Sequence, residues 1–251
     1  MGRHGNLRGR YSLIDALRGL ALLNMLAFHF LYDVFVVYGG SFEWTQLTWV
    51  IVWERYICFS FILISGVSLN FSNHAIKRGL IVNACGLLIT LVTAIAVPSQ
   101  IIIFGILNLI GCAMLLDRPL KKLAEKLDPL LGASVSLALF AFFYGLPMRY
   151  VGFFGIPLIR LPDALYCFPP LAVIGLPDKG FFSTDYFPLV PWLFLFVCGF
   201  FIWRCIVKAG AEQFFGRRVP VLDFIGKYTL WIYMIHQPVL MGICFLIFGR
   251  F

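Results

Sequence analysis

Residues 12–37 read SLIDALRGLALLNMLAFHFLYDVFVV, an apolar run that nevertheless carries four ionisable side chains. A transmembrane helix needs about 20 predominantly apolar residues, and this run exceeds that length. An ionisable group near the bilayer centre costs roughly 2.5–3.5 kcal/mol on insertion scales, so such groups usually face the interior of a helix bundle. The stretch therefore predicts a membrane helix with one functional face.

The four ionisable residues of this run are predicted to share that face. At about 100° per residue, Asp15, Arg18, His29 and Asp33 lie within an arc of roughly 60°. The rise from Asp15 to Asp33 is about 27 Å, close to the thickness of the hydrocarbon core. We interpret this face, called here the polar seam, as a path across the membrane.

The spacing within the polar seam predicts two side-chain pairs. Asp15 and Arg18 are three residues apart and are expected to form an ion pair, whereas His29 and Asp33 are four apart. Asp33 would then hold one imidazole nitrogen of His29 and strengthen the other as a general base, as in a Ser-His-Asp triad. The alternative is two intrahelical pairs that only make polar residues tolerable in the membrane.

The composition of the 251 residues extends this reading to the whole chain. Hydrophobic residues make up 61% and charged residues 13%, with a mean hydropathy of +0.91. Soluble domains are roughly 45–50% apolar, and one of this size could not bury so much apolar surface. We therefore predict an all-α polytopic membrane helical bundle, in a single domain covering residues 1–251, with about seven spans near residues 12–37, 55–72, 79–97, 101–117, 130–148, 186–207 and 227–248.

The distribution of Lys and Arg predicts the orientation. With seven spans, fourteen of the twenty cations fall on the side of the N-terminus and five on the other, and Arg18 lies within the first span. The positive-inside rule then places the N-terminus in the cytoplasm and the C-terminus outside, in a membrane expected to be the bacterial cytoplasmic membrane. Asp15 and Arg18 interrupt the first run, so a removable signal peptide is not expected. The net charge of +8 is explained by topology, and no nucleic-acid partner is predicted.

The cysteines and the prolines limit which kinds of site the chain can form. The seven cysteines show no metal-ligand spacing and no disulfide framework, so we predict neither a metal site nor a covalent cysteine nucleophile. Residues 149–185 contain five prolines among many aromatic residues, which disfavours a continuous helix. We expect short interfacial or re-entrant pieces there, or a loop without a role.

Polar residues in other predicted spans are candidates for a substrate cavity. The last span carries a cluster that includes a helix-kinking proline: Tyr228, Thr229, Tyr233, His236, Gln237 and Pro238. Asn108 places an amide in the fourth span between two glycines, and Asp185 precedes the sixth span. Asn108 would otherwise serve as helix-packing glue, His236 as a satisfied core residue, and Asp185 as an N-terminal cap.

Six strings of sequence resemble one family. They are YSLIDALRGLA at 11–21, with His29 following Arg18 after ten residues, ISGVS at 64–68, ITLVT at 89–93, FGILNLIG at 104–111, DYFPLVPW at 185–192 and YMIHQP at 233–238. Together they resemble the small bacterial members of the heparan-alpha-glucosaminide N-acetyltransferase catalytic-domain family, within the transmembrane acyltransferases.

The resemblance implies a reaction. Acetyl-CoA would enter from the cytoplasm as the donor, and its acetyl group would pass to an amine or hydroxyl at the outer face, on a saccharide-like acceptor such as an amino sugar. In this interpretation His29 is the base and Asp33 its orienter. The donor and substrate cavity would be lined by Asp15, Arg18, Asn108, Asp185, Tyr233, His236 and Gln237. Partners would be these small molecules and the lipid bilayer, and a homo-oligomer is left open.

Two other functions fit the same residues. A secondary transporter or proton-coupled carrier would use the polar seam as an ion path. A b-type cytochrome would use His29 and His236 as axial haem ligands.

Overall fold

The computed structural model describes residues 11–154 and 156–249. The described residues form nine α-helices and one two-stranded antiparallel sheet. The helices are α1 Ser12–Tyr32, α2 Thr48–Leu69, α3 Ala75–Ala96, α4 Ile106–Leu115, α5 Asp117–Lys126, α6 Pro129–Phe143, α7 Leu189–Lys208, α8 Pro220–Lys227 and α9 Thr229–Phe248. The strands are β1 Tyr150–Phe153 and β2 Ile156–Arg160. A π-helical turn, Asp33–Tyr38, extends α1, and a 3-10 turn, Leu146–Met148, follows α6.

Six of these segments are long and apolar enough to cross a membrane. They are Ser12–Tyr38, Thr48–Leu69, Ala75–Ala96, Pro129–Met148, Leu189–Lys208 and Thr229–Phe248. The prediction of an all-α polytopic membrane bundle is confirmed. Arg3, Arg8, Arg10 and Arg250, which entered the prediction of orientation, lie outside the described residues.

The second span begins earlier than predicted. Its helix starts at Thr48 rather than near Arg55, and the adjacent charges Glu54 and Arg55 form an ion pair within its second turn, with Nη1–Oε1 at 3.6 Å. The adjacent charges Glu54 and Arg55 therefore do not mark the start of the second membrane span.

The chain divides into two compact units. The first contains the described residues up to Ser60 together with those from Ile206 onwards, and the second contains Phe61–Cys205. The single domain over residues 1–251 stays a prediction.

In the first unit, α8 packs on the start of α1 through two glycines. A Cβ atom at Gly226 would lie 1.8 Å from the carbonyl oxygen of Asp15, and one at Gly19 would lie 2.3 Å from that of Leu222. The two backbones therefore touch where neither helix has a side chain, as small residues allow in membrane bundles. This contact fixes α8 against the end of α1 that carries Asp15 and Arg18.

In the second unit, α2 and α7 also meet through glycines. A Cβ atom at Gly66 would lie 2.0 Å from the carbonyl oxygen of Phe196, and one at Gly199 would lie 2.3 Å from that of Leu63. One turn beyond this contact, Asn70 Nδ2 donates to the Phe200 carbonyl at 3.1 Å. The two helices are therefore joined by close packing and by an interhelical hydrogen bond.

The fourth predicted span is only partly helical. Instead of a helix over 101–117, residues 101–105 are non-helical, and α4 has ten residues, about 15 Å by helical rise. The segment still runs back alongside α3. Ile102 N donates to Thr93 Oγ1 at 3.1 Å, while Asn108 packs on Gly86 and Gly111 packs on Asn83. Residues 102–111 therefore return antiparallel to α3 as part extended chain and part helix.

The non-helical residues are stable because other backbone and side-chain groups pair with them. Ile103 N donates to Ser183 Oγ at 2.9 Å, Thr184 N donates to the Ile101 carbonyl and Phe187 N to the Phe104 carbonyl, each at 3.0 Å. Broken helices at membrane depth occur only where such partners replace the helical bonds. Residues 183–187 are these partners, which a pattern of apolar runs does not reveal.

The proline-rich segment contains no continuous helix among its described residues, as predicted. It folds into β1 and β2, two 3-10 turns, Asp163–Tyr166 and Pro169–Ile174, and irregular chain. Tyr166 is buried, and its hydroxyl donates to the Leu146 carbonyl at 2.6 Å. Burial raises the pKa of Tyr166, partly opposed by the Arg149 guanidinium, so the phenol remains a donor. The β-hairpin was not predicted.

The glycine contact between α1 and α8 gives the first prediction. Gly226→Ala should destabilise the protein by about 1–3 kcal/mol, because the new methyl group cannot fit against the Asp15 carbonyl. For a chain of this size the thermal midpoint in detergent should fall by roughly 5 °C.

Gly242→Ala is the matched control, since nothing lies within 4 Å of a Cβ atom at this position in α9. It should leave the midpoint unchanged or raise it slightly, because alanine favours a helix over glycine. Equal midpoints for the two variants would contradict the close backbone contact.

Candidate functional site

The two halves of the polar seam form separate clusters. At one end of α1, Arg18 Nη1 and Asp15 Oδ1 lie 2.8 Å apart, so the predicted pair is confirmed as a contact. Asp15 is buried and Arg18 partly exposed. His29 lies about 16 Å further along the helix axis. His29 and Asp33 make their contacts there, with His236 and Gln237 of α9.

His29 packs directly on a second histidine. The ring of His29 on α1 and the ring of His236 on α9 have centroids 4.9 Å apart with an interplanar angle of 60°. Both side chains are half-buried. Two imidazoles therefore meet between these helices, each from a different end of the sequence.

Hydrogen bonding settles the tautomer of His236. Its Nδ1 lies 2.5 Å from the carbonyl oxygen of Tyr233, which can only accept, so Nδ1 carries the proton. The Nε2 atom is buried and has no hydrogen-bond partner among the described residues. A neutral His236 therefore presents an unused lone pair at Nε2.

Asp33 does not hold His29, contrary to the prediction. Both oxygens of its fully buried carboxyl group accept from Gln237 Nε2, at 2.9 and 3.1 Å. The four-residue spacing brings the Cβ atoms of His29 and Asp33 close but does not fix where each side chain turns. A buried carboxyl group takes the partner that the neighbouring helix supplies, because leaving it unpaired is costly.

The Asp33–Gln237 contact positions the histidine pair. Gln237 follows His236 directly on α9, and Asp33 lies one turn beyond His29, at the start of the π-helical turn that extends α1. The hydrogen bonds between them therefore tie the two helices together beside the two imidazole rings. The oxygen Oε1 of Gln237 is buried without a partner among the described residues.

The histidine pair does not fit the haem hypothesis. Two imidazoles that ligate opposite sides of one iron, each with a metal–nitrogen bond of about 2 Å, need ring centroids about 6 Å apart. The observed 4.9 Å packing brings the rings together with no space for a porphyrin.

Asn24, which was not predicted as a site residue, lies on the opposite face of α1 from the polar seam. Its Oδ1 accepts from Trp53 Nε1 at 3.0 Å, and its Nδ2 donates to the Leu20 carbonyl at 3.0 Å. An amide in the middle of an apolar run was the available signal. This contact joins α1 to the first part of α2.

Asn108 and Asp185, the other predicted cavity residues, belong to the second unit. Asn108 is buried and lines a cavity of about 190 Å³. Thr90 also lines this cavity, and the other lining residues are apolar: Leu87, Ile103, Phe104, Pro169, Ala172, Val173 and Phe181. Asp185 packs beside Gly105. It does not cap the sixth span, because α7 begins four residues later at Leu189.

Comparison with known families matches residues 10–238 to the family described as heparan-alpha-glucosaminide N-acetyltransferase, catalytic. The chain belongs to this family. The matched region contains His29, Asp33, Asn108, Asp185, His236 and Gln237, and membership confirms the resemblance found in the sequence. It indicates a membrane acetyltransferase. No curated protein and no solved structure matches the chain.

The tie between Asp33 and Gln237 gives the second prediction. Gln237→Leu should destabilise the protein by about 1–3 kcal/mol, because the buried Asp33 carboxyl group loses its donor. The thermal midpoint in detergent measures the loss.

The double variant Asp33→Leu/Gln237→Leu is the control, because it removes both polar groups together. Replacing both partners of a buried hydrogen bond by apolar groups is often nearly neutral. The double variant should recover most of the midpoint. Additive losses in the two single variants and the double variant would show that the contact carries no coupling energy.

Proposed function

We propose that this protein transfers an acetyl group from acetyl-CoA to an amine or hydroxyl of a small saccharide-like acceptor, with an amino sugar as the expected class. The family description names glucosaminide N-acetylation, which supports both the acetyl group and the acceptor class. The observation that carries the proposal is the packing of His29 on His236 at a point where α1 and α9 are tied together.

The reaction needs a base and no covalent intermediate. The acceptor nitrogen or oxygen attacks the thioester carbonyl carbon while His29 removes its proton. The C–S bond then breaks, the acetyl group stays on the acceptor, and the CoA thiolate takes up a proton to become the free thiol. A positioned histidine contributes typically 10²–10⁴-fold to such a step.

His29 is the proposed base because it is the histidine on the polar seam and has no hydrogen bond among those that the structure describes. His236 would line the reaction site beside it, with Nε2 free to accept a hydrogen bond from the acceptor. Tyr233 supplies the carbonyl that fixes the His236 tautomer. Asp33 is proposed as a positioning residue acting through Gln237, which replaces its expected role on His29.

Donor binding is proposed at the end of α1 that carries Asp15 and Arg18. With the N-terminus on the cytoplasmic side, as predicted from the sequence, that end would lie on the side holding most of the Lys and Arg residues, which would attract the phosphates of CoA. Asp15 holds Arg18 in place at 2.8 Å. Asn108 and Asp185, which both belong to the second unit, stay proposed substrate-binding residues.

The third prediction tests the base. His29→Ala should lower kcat by a factor of about 10²–10⁴, because proton removal from the acceptor loses its base. Purified protein in lipid nanodiscs is incubated with isotopically labelled acetyl-CoA and glucosamine, and labelled N-acetylglucosamine is counted by mass spectrometry. This readout is independent of the seven protein thiols.

His74→Ala is the matched control, since His74 is exposed before α3 and its side chain makes no cap hydrogen bond. It should keep the activity of the unchanged protein. Full activity of His29→Ala would remove His29 from the mechanism. If the unchanged protein consumes no acetyl-CoA with any amine or hydroxyl acceptor tested, the transporter hypothesis gains over the enzyme.

A further inference from the structure

We propose that the β-hairpin formed by β1 and β2 dips into the membrane leaflet in which α6 ends and that its partner is the lipid itself. The proposal concerns how the proline-rich segment is held, and it is independent of the acetyl-transfer chemistry. Four observations within the second unit carry it.

The hairpin is apolar and exposed at the same time. Five of its large hydrophobic residues are between 48% and 66% exposed: Phe153, Phe154, Ile156, Leu158 and Ile159. All five residues of β2 are exposed, although a strand packed on one face would alternate. An apolar patch of this kind on a protein surface marks an interaction site.

The direction of β1 takes the hairpin back along a membrane span. Tyr150 packs on Gly145, the ring of Phe153 contacts that of Phe142 at 5.7 Å, and the ring of Phe154 contacts that of Phe140 at 6.0 Å. As β1 advances, its partners on and just after α6 move backwards. The hairpin tip therefore lies about 8 Å back from Gly145, at the level of a helix that crosses the bilayer.

The open end of the hairpin carries residues typical of the headgroup region. Arg160 pairs in register with Tyr150, and Arg149 immediately precedes β1, where it contacts Asp163 at 2.6 Å and the Tyr166 ring. Tyrosine and arginine are favoured where a membrane surface meets water, and guanidinium groups pair with lipid phosphates. Charge at the open end and hydrophobic residues at the tip match the polarity of one leaflet.

The backbone limits the depth. A two-stranded sheet leaves hydrogen-bonding groups along its outer edges, and open edges are not stable in the hydrocarbon core. The tip should therefore rest at the boundary between headgroups and acyl chains, about 5–10 Å below the surface, where interfacial segments lie. Phe154, which packs on Phe140, lies about 8 Å back from Gly145, within this range of depths.

Site-specific photo-crosslinking tests the partner. The full chain is purified with p-benzoylphenylalanine at Leu158 and, separately, at Lys179, and each variant is reconstituted in phosphatidylcholine vesicles. Lys179 is the depth control, because its side chain is 75% exposed and its Nζ lies 3.5 Å from the Asp163 carboxyl group that Arg149 also contacts, so it marks the open end of the hairpin at the headgroups. Leu158 is exposed, so the replacement leaves the packing of the chain unchanged.

After irradiation, the Leu158 position should give phosphatidylcholine adducts at least fivefold more often than the Lys179 position, as counted by mass spectrometry of the protein. Equal yields at both positions would overturn the proposal, because the hairpin tip would then lie no deeper than the open end. Crosslinks from Leu158 to a second copy of this chain would overturn it in favour of a dimer contact. A repeat at Ile156, which is equally exposed and nearer the tip, should give the same lipid adducts.

Discussion

Polar groups buried in a membrane bundle cannot hydrogen-bond to bulk water, and two parts of the described structure depend on protein groups that take the place of water. The carboxyl group of Asp33 is fully buried and takes both of its hydrogen bonds from Gln237. The backbone of residues 101–104 leaves helical geometry and takes its bonds from Thr93 and from residues 183–187. The first case builds the candidate site, and the second allows the chain to return along α3 without a full helix.

This constraint explains why the histidines meet where they do. The glycine contact fixes α8 on one end of α1, and the Asp33–Gln237 hydrogen bonds fix α9 near the other. His29 and His236 each lie within one turn of that second tie. Their approach is therefore a consequence of helix positioning by neighbouring polar residues, and it needs no attraction between the rings themselves.

The sequence predicted what depends on local periodicity. Runs of apolar residues gave the membrane bundle, the three-residue spacing gave the Asp15–Arg18 pair, and short strings gave the family. The partner of Asp33 could not be predicted in this way, because Gln237 lies 204 residues away and only the packing of α9 on α1 brings them together.

Contacts between residues far apart in the sequence also explain why the fourth predicted span is only partly helical. An apolar run of spanning length around Asn108 reads as a helix, but the hydrogen bonds of residues 183–187 replace the first part of it. The hairpin was hidden for a similar reason, since its residues pack on α6 through aromatic rings rather than through a repeating pattern.

The junction between α2 and α7 has a consequence for biosynthesis. Asn70 and the Phe200 carbonyl that accepts from it are 130 residues apart. Gly66 and Gly199 lie at least as far along the chain from their contacts Phe196 and Leu63. At translation rates of about 5–20 residues per second, α2 waits in the bilayer on the order of ten seconds before α7 leaves the ribosome. During that interval the Asn70 amide has the Val67 carbonyl of its own helix end as its described partner, at 3.1 Å, so only the interhelical part of the junction has to await the arrival of α7.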